Sequence, residues 1–126
     1  MADDAILTRL RHALQALALP ADQQLLLLPA FVTEVDELAL SFDHWLRIAL
    51  KDTGLRLSRD RRKALDAVEH DLDAMSGQGN AHLWTRAALL DGEPWSRLRG
   101  TARQALRIFG WDLEVPPGRL FEYIEW

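Results

Sequence analysis

Residues 35–51, Val-Asp-Glu-Leu-Ala-Leu-Ser-Phe-Asp-His-Trp-Leu-Arg-Ile-Ala-Leu-Lys, carry the pattern that decides the fold. Together with Val32, the apolar positions Val35, Leu38, Ala39, Phe42, Trp45, Leu46 and Ala49 recur at steps of three and four. That is the period of a helix, and a half-buried strand would instead alternate. The spacing predicts the longest helix of the chain, from Ala30 to about Asp52, with Gly54 as its C-terminal stop.

The same period recurs on either side. Ile6, Leu7, Leu10, Ala13, Leu14 and Leu17 predict a first helix over about 4–18, ended by Pro20. A short helix is expected from Pro20 through Leu25–Leu28, interrupted by Pro29. Ser58 is the expected N-cap of a helix that turns Ala64, Leu65, Val68, Leu72 and Met75 inward and ends at Ser76-Gly77-Gln78-Gly79. Asn80 is expected to cap a shorter helix through Leu90, closed by Gly92. Pro94 opens a last one, with Trp95, Leu98, Ala102, Ala105, Leu106 and Phe109 inward and Gly110 beyond its end. After Trp111 the pattern breaks, and residues 112–126, rich in aromatics, are expected to form a strap or a helical turn, a non-helical or weakly structured tail packed on the helices. The expected fold class is all-α: a single domain over 1–126, a compact bundle of four to six helices with a short aromatic C-terminal strap.

Composition narrows the function. The chain has 126 residues, 48% hydrophobic and 27% charged, enough for a core without staples. Cysteine is absent, so there is no disulfide framework, thiolate metal site or cysteine nucleophile. Asp3 and Asp4 precede the first apolar residues, the wrong charge order for a signal peptide, and no apolar run approaches the ~20 residues of a membrane span. A formal net charge of −4 argues against non-specific nucleic-acid binding.

No catalytic constellation emerges. Asp66, His70 and Asp73 share a helix face at metal-ligand spacing, but the face points away from Leu65, Val68 and Leu72 and reads as solvated. Ser41 and His44 lack an oxyanion hole or a nucleophile elbow. The Gly77–Gly79 stretch lacks the Gly-Lys-Ser/Thr ending of a phosphate loop. Arg99, Arg103 and Arg107 form a basic row, as do Arg56, Arg59, Arg61, Arg62 and Lys63, yet residues 55–126 balance eleven bases against eleven acids. Intramolecular pairing and solvation are the expected use of these rows. The reading is therefore non-enzymatic, with no cofactor and no metal.

Charge placement says more than its sum: residues 1–54 hold eight acids and four bases, with Glu34, Asp36, Glu37 and Asp43 uninterrupted by any base. Asp36, Glu37, Leu40, Asp43, His44 and Ile48 fall on the side of the long helix away from its apolar stripe. Either that helix is central and Leu40 and Ile48 touch neighbouring helices, or the acids ring apolar anchors on a docking surface for a basic partner.

The segments Val35–Asp43, Met75-Ser76-Gly77 with Asn80, Leu83-Trp84-Thr85 and Phe109-Gly110-Trp111 resemble small, all-helical bacterial immunity proteins of contact-dependent or polymorphic toxin systems. The likeness spans about residues 30–115 and its motifs are structural. The resemblance implies a cytoplasmic inhibitor that tightly binds a cognate toxin domain, often a nuclease, and brings no catalytic residues with it. Asp36, Glu37, Leu40, Asp43 and His44 are the expected partner-binding residues, with the free protein expected as a monomer that contacts neither nucleic acid nor membrane. The alternative is a helical adaptor or regulatory subunit that self-associates through its tryptophan-rich end and has no toxin partner.

Overall fold

The computed structural model describes residues 2–28, 35–51 and 57–117. Among them are six α-helices and one 3₁₀ segment, and no strand: α1 (Ala2–Ala18), α2 (Ala21–Leu27), α3 (Glu37–Lys51), α4 (Arg59–Ala74), the 3₁₀ segment Gln78–Leu83, α5 (Arg86–Asp91) and α6 (Glu93–Phe109). The chain is all-α. Most of the expected strap, residues 118–126, lies outside the described residues, and 112–117 carry no regular structure.

Four long helices set the architecture. α1 and α6 pack on each other in the middle, α3 lies on the far side of α1, and α4 on the far side of α6. The short α2 and α5 pack together against these two central helices. Buried residues of α1 and α6 supply the centre: Leu10, Leu14 and Leu17 from one, Trp95, Leu98 and Leu106 from the other. Phe42 and Leu38 reach in from α3, and Leu65 and Val68 from α4. Each such aliphatic or aromatic side chain contributes about 1.5–3 kcal/mol of transfer free energy.

The central position of α1 creates a problem at its end, where the last carbonyls have no partner within the helix. Two side chains from elsewhere solve it. The buried Gln24 amide donates to Ala16 O and Leu17 O, both at 3.0 Å. Arg103 Nε donates to Ala18 O at 2.8 Å. Gln24 Oε1 in turn accepts from Arg99 Nη1 at 2.9 Å, and the same Arg99 nitrogen reaches Leu89 O at 3.2 Å. Burial and the neighbouring Arg103 push Arg99 below its ordinary pKa. The two guanidiniums tolerate each other because they sit at the negative end of the α1 dipole. Arg99 and Arg103 thus work inside the fold, while among the described residues Arg107 bonds only Gln104.

Several expected boundaries hold. Ser58 caps α4 by accepting from Arg61 N at 3.2 Å. Gly110, with φ 72°, ends α6 in the left-handed conformation that glycine adopts without strain. Two others are corrected. The long helix begins at Glu37 and not near Ala30, because Val35 and Asp36 are already non-helical and Asp36 O accepts the bond from Leu40 N. Its apolar stripe runs past its true start. Asn80 caps no helix: its amide turns back to Ala74 O and Ser76 O at the end of α4, and Thr85 caps α5 by accepting from Ala88 N. Gly92 both ends α5 and starts α6; a Cβ there would meet Ala88 O at 2.5 Å.

Candidate docking surface on α3

Among the described residues α3 packs chiefly on α1, at one edge of the row of long helices and not at its centre. Leu38, Ser41, Phe42, Leu46 and Ala49 are its buried residues. At 3.6 residues per turn, Asp36, Glu37, Leu40, Asp43 and His44 share an arc of about 120° on the side away from α1, but only Leu40 is exposed: the other four are half-buried, with Glu37 Oε2 and His44 Nε2 turned in from the surface. Leu40, near the middle of the arc, is 48% exposed, whereas Ile48 at its edge is half-buried.

Helix chemistry accounts for part of the acidity. Asp36 and Glu37 stand at the N-terminus of α3, where the macrodipole favours carboxylates. Asp43 pairs with Arg47 at 2.9 Å, one turn on. That pair is exposed, 76% for Arg47 and 46% for Asp43, so water screens it and it adds little to stability. Burial, with the Asp36 charge beside it, raises the Glu37 carboxyl above its ordinary pKa. Its Oε2 and the hydroxyl of the fully buried Ser41 find no hydrogen-bond partner among the described residues. His44 lays its ring edge-on to Trp45 at 4.8 Å, and the Arg9 guanidinium of α1 covers the Trp45 ring at 5.8 Å. The five residues therefore share one side, acidic toward the start of α3 and basic toward its end, where Arg47 and Lys51 continue the row.

Reading the sequence missed the flank of this face. Between α3 and α4 lies a groove of ≈ 420 Å³ lined by Asp43, Leu46, Arg47, Leu50, Arg62 and Glu69, among others. Burial and nearby carboxylates raise the Glu69 carboxyl above its ordinary pKa. The i, i+4 spacing of Asp43 and Arg47 was visible in the chain; the approach of Glu69, from another helix, was not.

Elsewhere, the indole N–H of Trp95 donates to Leu83 O at 2.7 Å and that of Trp84 to Met75 O at 2.8 Å, the two rings meeting edge-on at 5.5 Å. These tryptophans tie the 3₁₀ segment to α4 and α6, and Trp95 is fully buried. Among the described residues no group of three or more His, Asp or Glu side chains is placed to hold a metal ion, and no helix is long and apolar enough to cross a membrane.

No known protein family matches this chain, and no curated protein and no solved structure shows significant similarity to it.

Proposed function

We propose that this protein is an immunity protein, a non-enzymatic inhibitor that neutralises a cognate toxin domain in the cytoplasm by docking the outward face of α3 onto it. The observation that carries the reading is Leu40, half exposed and flanked by Asp36, Glu37 and Asp43 on a helix that, among the described residues, packs chiefly on α1. An apolar anchor supplies the buried contact and hence residence time, while the carboxylates steer a basic partner and speed encounter. A nuclease fits that chemistry because it must present positive charge to its own substrate.

The test is co-expression with the toxic domain encoded beside this chain. Growth is restored and the two proteins co-purify. Charge reversal of Asp36 and Glu37 to Lys weakens the complex at least about tenfold, ~1.4 kcal/mol, and flattens its salt dependence. Because charge reversal there also perturbs the start of α3, Leu40→Arg is the cleaner probe: it leaves the unfolding midpoint in place and lowers affinity by a similar factor. Rescue without a complex, or wild-type affinity in both variants, would overturn the assignment.

A further inference from the structure

The end of α4, the 3₁₀ segment and the first turns of α6 border a cavity of ≈ 230 Å³, lined by Asp71, Ala74, Met75, Leu83, Glu93, Pro94 and Arg97. That is the volume of about eight waters. Its walls are largely apolar: Met75 is buried, Leu83 and Pro94 half-buried, and Ala74 stands at the open edge. The indole of Trp84 donates to Met75 O and that of Trp95 to Leu83 O, so the carbonyls of two wall residues are already engaged. Glu93 and Arg97 pair with each other at 3.0 Å on the exposed rim, and their charges cancel. Asp71 differs from both. It is half-buried, its Oδ2 accepts from Thr101 Oγ1 at 2.6 Å, and among the described residues no base pairs with it. The hydroxyl fixes one carboxylate oxygen and leaves Oδ1 without a donor among those residues. A carboxylate drawn partly out of water beside apolar walls is stabilised by a cation.

We propose that this cavity binds a small organic cation: a primary ammonium on a short aromatic or aliphatic body, the ammonium on Asp71 and the body against Met75, Leu83 and Pro94. The charge-assisted hydrogen bond to Asp71 sets the orientation. Burial of the body supplies the remaining affinity, and the Met75 thioether favours an aromatic ring beside it. A neutral polar ligand has little to bond, since the Met75 and Leu83 carbonyls are taken, and an anion meets Asp71 and Glu93. A free amine and a protein's lysine side chain both present an ammonium on an apolar stem, so the chemistry is shared and experiment distinguishes the sources. The inference is independent of the toxin reading, because it uses α4 and α6 and not α3.

Titration of the isotope-labelled full chain with phenethylamine, followed by nuclear magnetic resonance, tests this. The indole N–H signals of Trp84 and Trp95, which bond the cavity walls, are expected to shift with a Kd on the order of 0.1–1 mM. Nα-acetyl-lysine methylamide is titrated alongside, and the tighter binder of the two names the source. Asp71→Asn keeps the size of the side chain and the oxygen that accepts from Thr101, and raises the Kd for the amine at least about tenfold. Asp73→Asn removes an exposed charge from the same helix outside the cavity and leaves the Kd within about twofold. Ala74→Phe sets a ring into the open edge and abolishes binding with no change of charge. Dispersed indole signals confirm that each variant is folded. Absence of shifts with either cation up to ~20 mM would overturn the proposal. So would an unchanged Kd in both Asp71→Asn and Ala74→Phe, an equal loss in Asp73→Asn, or phenethyl alcohol bound as tightly as the amine.

Discussion

At the end of α1, Gln24 and Arg103 hold three backbone carbonyls from inside the protein; on the outside of α3, Asp43 holds an Arg47 that is itself 76% exposed. Both regions are polar, and by residue type alone they look alike. The difference is what water can replace. A solvent-exposed ion pair exchanges its partner for water at little cost, whereas a carbonyl buried beneath α2 and α6 has no such substitute. Polar side chains at the first site hold the helices together, and those at the second remain available to another molecule.

The contrast predicts a graded series. Gln24→Leu has the largest effect: it removes one donor shared by two carbonyls and the acceptor of Arg99 in a single step. Urea unfolding should show a loss of about 2–4 kcal/mol. Arg103→Ala leaves only Ala18 O without its partner and should cost about 1.5–3 kcal/mol in the same measurement. If either change were neutral, the junction would not be the structural member of the comparison. On α3, Glu37→Gln should act in the opposite direction. The folded carboxyl titrates above its ordinary range, so the fold binds that proton more tightly than the unfolded chain does. Its contribution therefore favours folding at low pH and is lost as pH rises through the raised value. The glutamine variant should be slightly more stable than the parent at neutral pH. That advantage shrinks as pH falls through the raised value and vanishes below the ordinary carboxylate range, which thermal melts across pH 3–7 would record. Arg47→Ala should have the smallest effect, leaving the urea midpoint where the parent has it.

The same contrast explains what could be read from the chain. Helix ends set by local chemistry were legible: Ser58 caps through a bond to Arg61, three residues away, and Gly110 needs only its own backbone freedom. Asn80 was misread because its side chain had two local choices, and the carbonyls ending α4 won over the helix that follows. The long-range partnerships were invisible. Gln24 closes the polar stretch Asp22-Gln23-Gln24 just before Leu25–Leu28, yet it is fully buried, and Arg99, 75 residues on, completes its bonding. Gln15, equally buried in α1, donates to Asp112 O, 97 residues away. Of the candidate docking face, the shared side of Asp36, Glu37, Leu40, Asp43 and His44 followed from helical spacing. Its place at the edge of the fold depended on which helices pack on α1, and its neighbouring groove on where α4 lies.

The paired indoles of Trp84 and Trp95 give the protein an optical label. Two aromatic chromophores held at 5.5 Å and 80° in an asymmetric setting couple their transitions, and that coupling contributes ellipticity in the near ultraviolet only while both are seated. Trp84 is anchored through Met75 and Trp95 through Leu83, so the signal reports the docking of the 3₁₀ segment between α4 and α6. Helix content at 222 nm reports the four long helices. Following both wavelengths through a melt would therefore show whether that connection lets go together with the bundle or ahead of it.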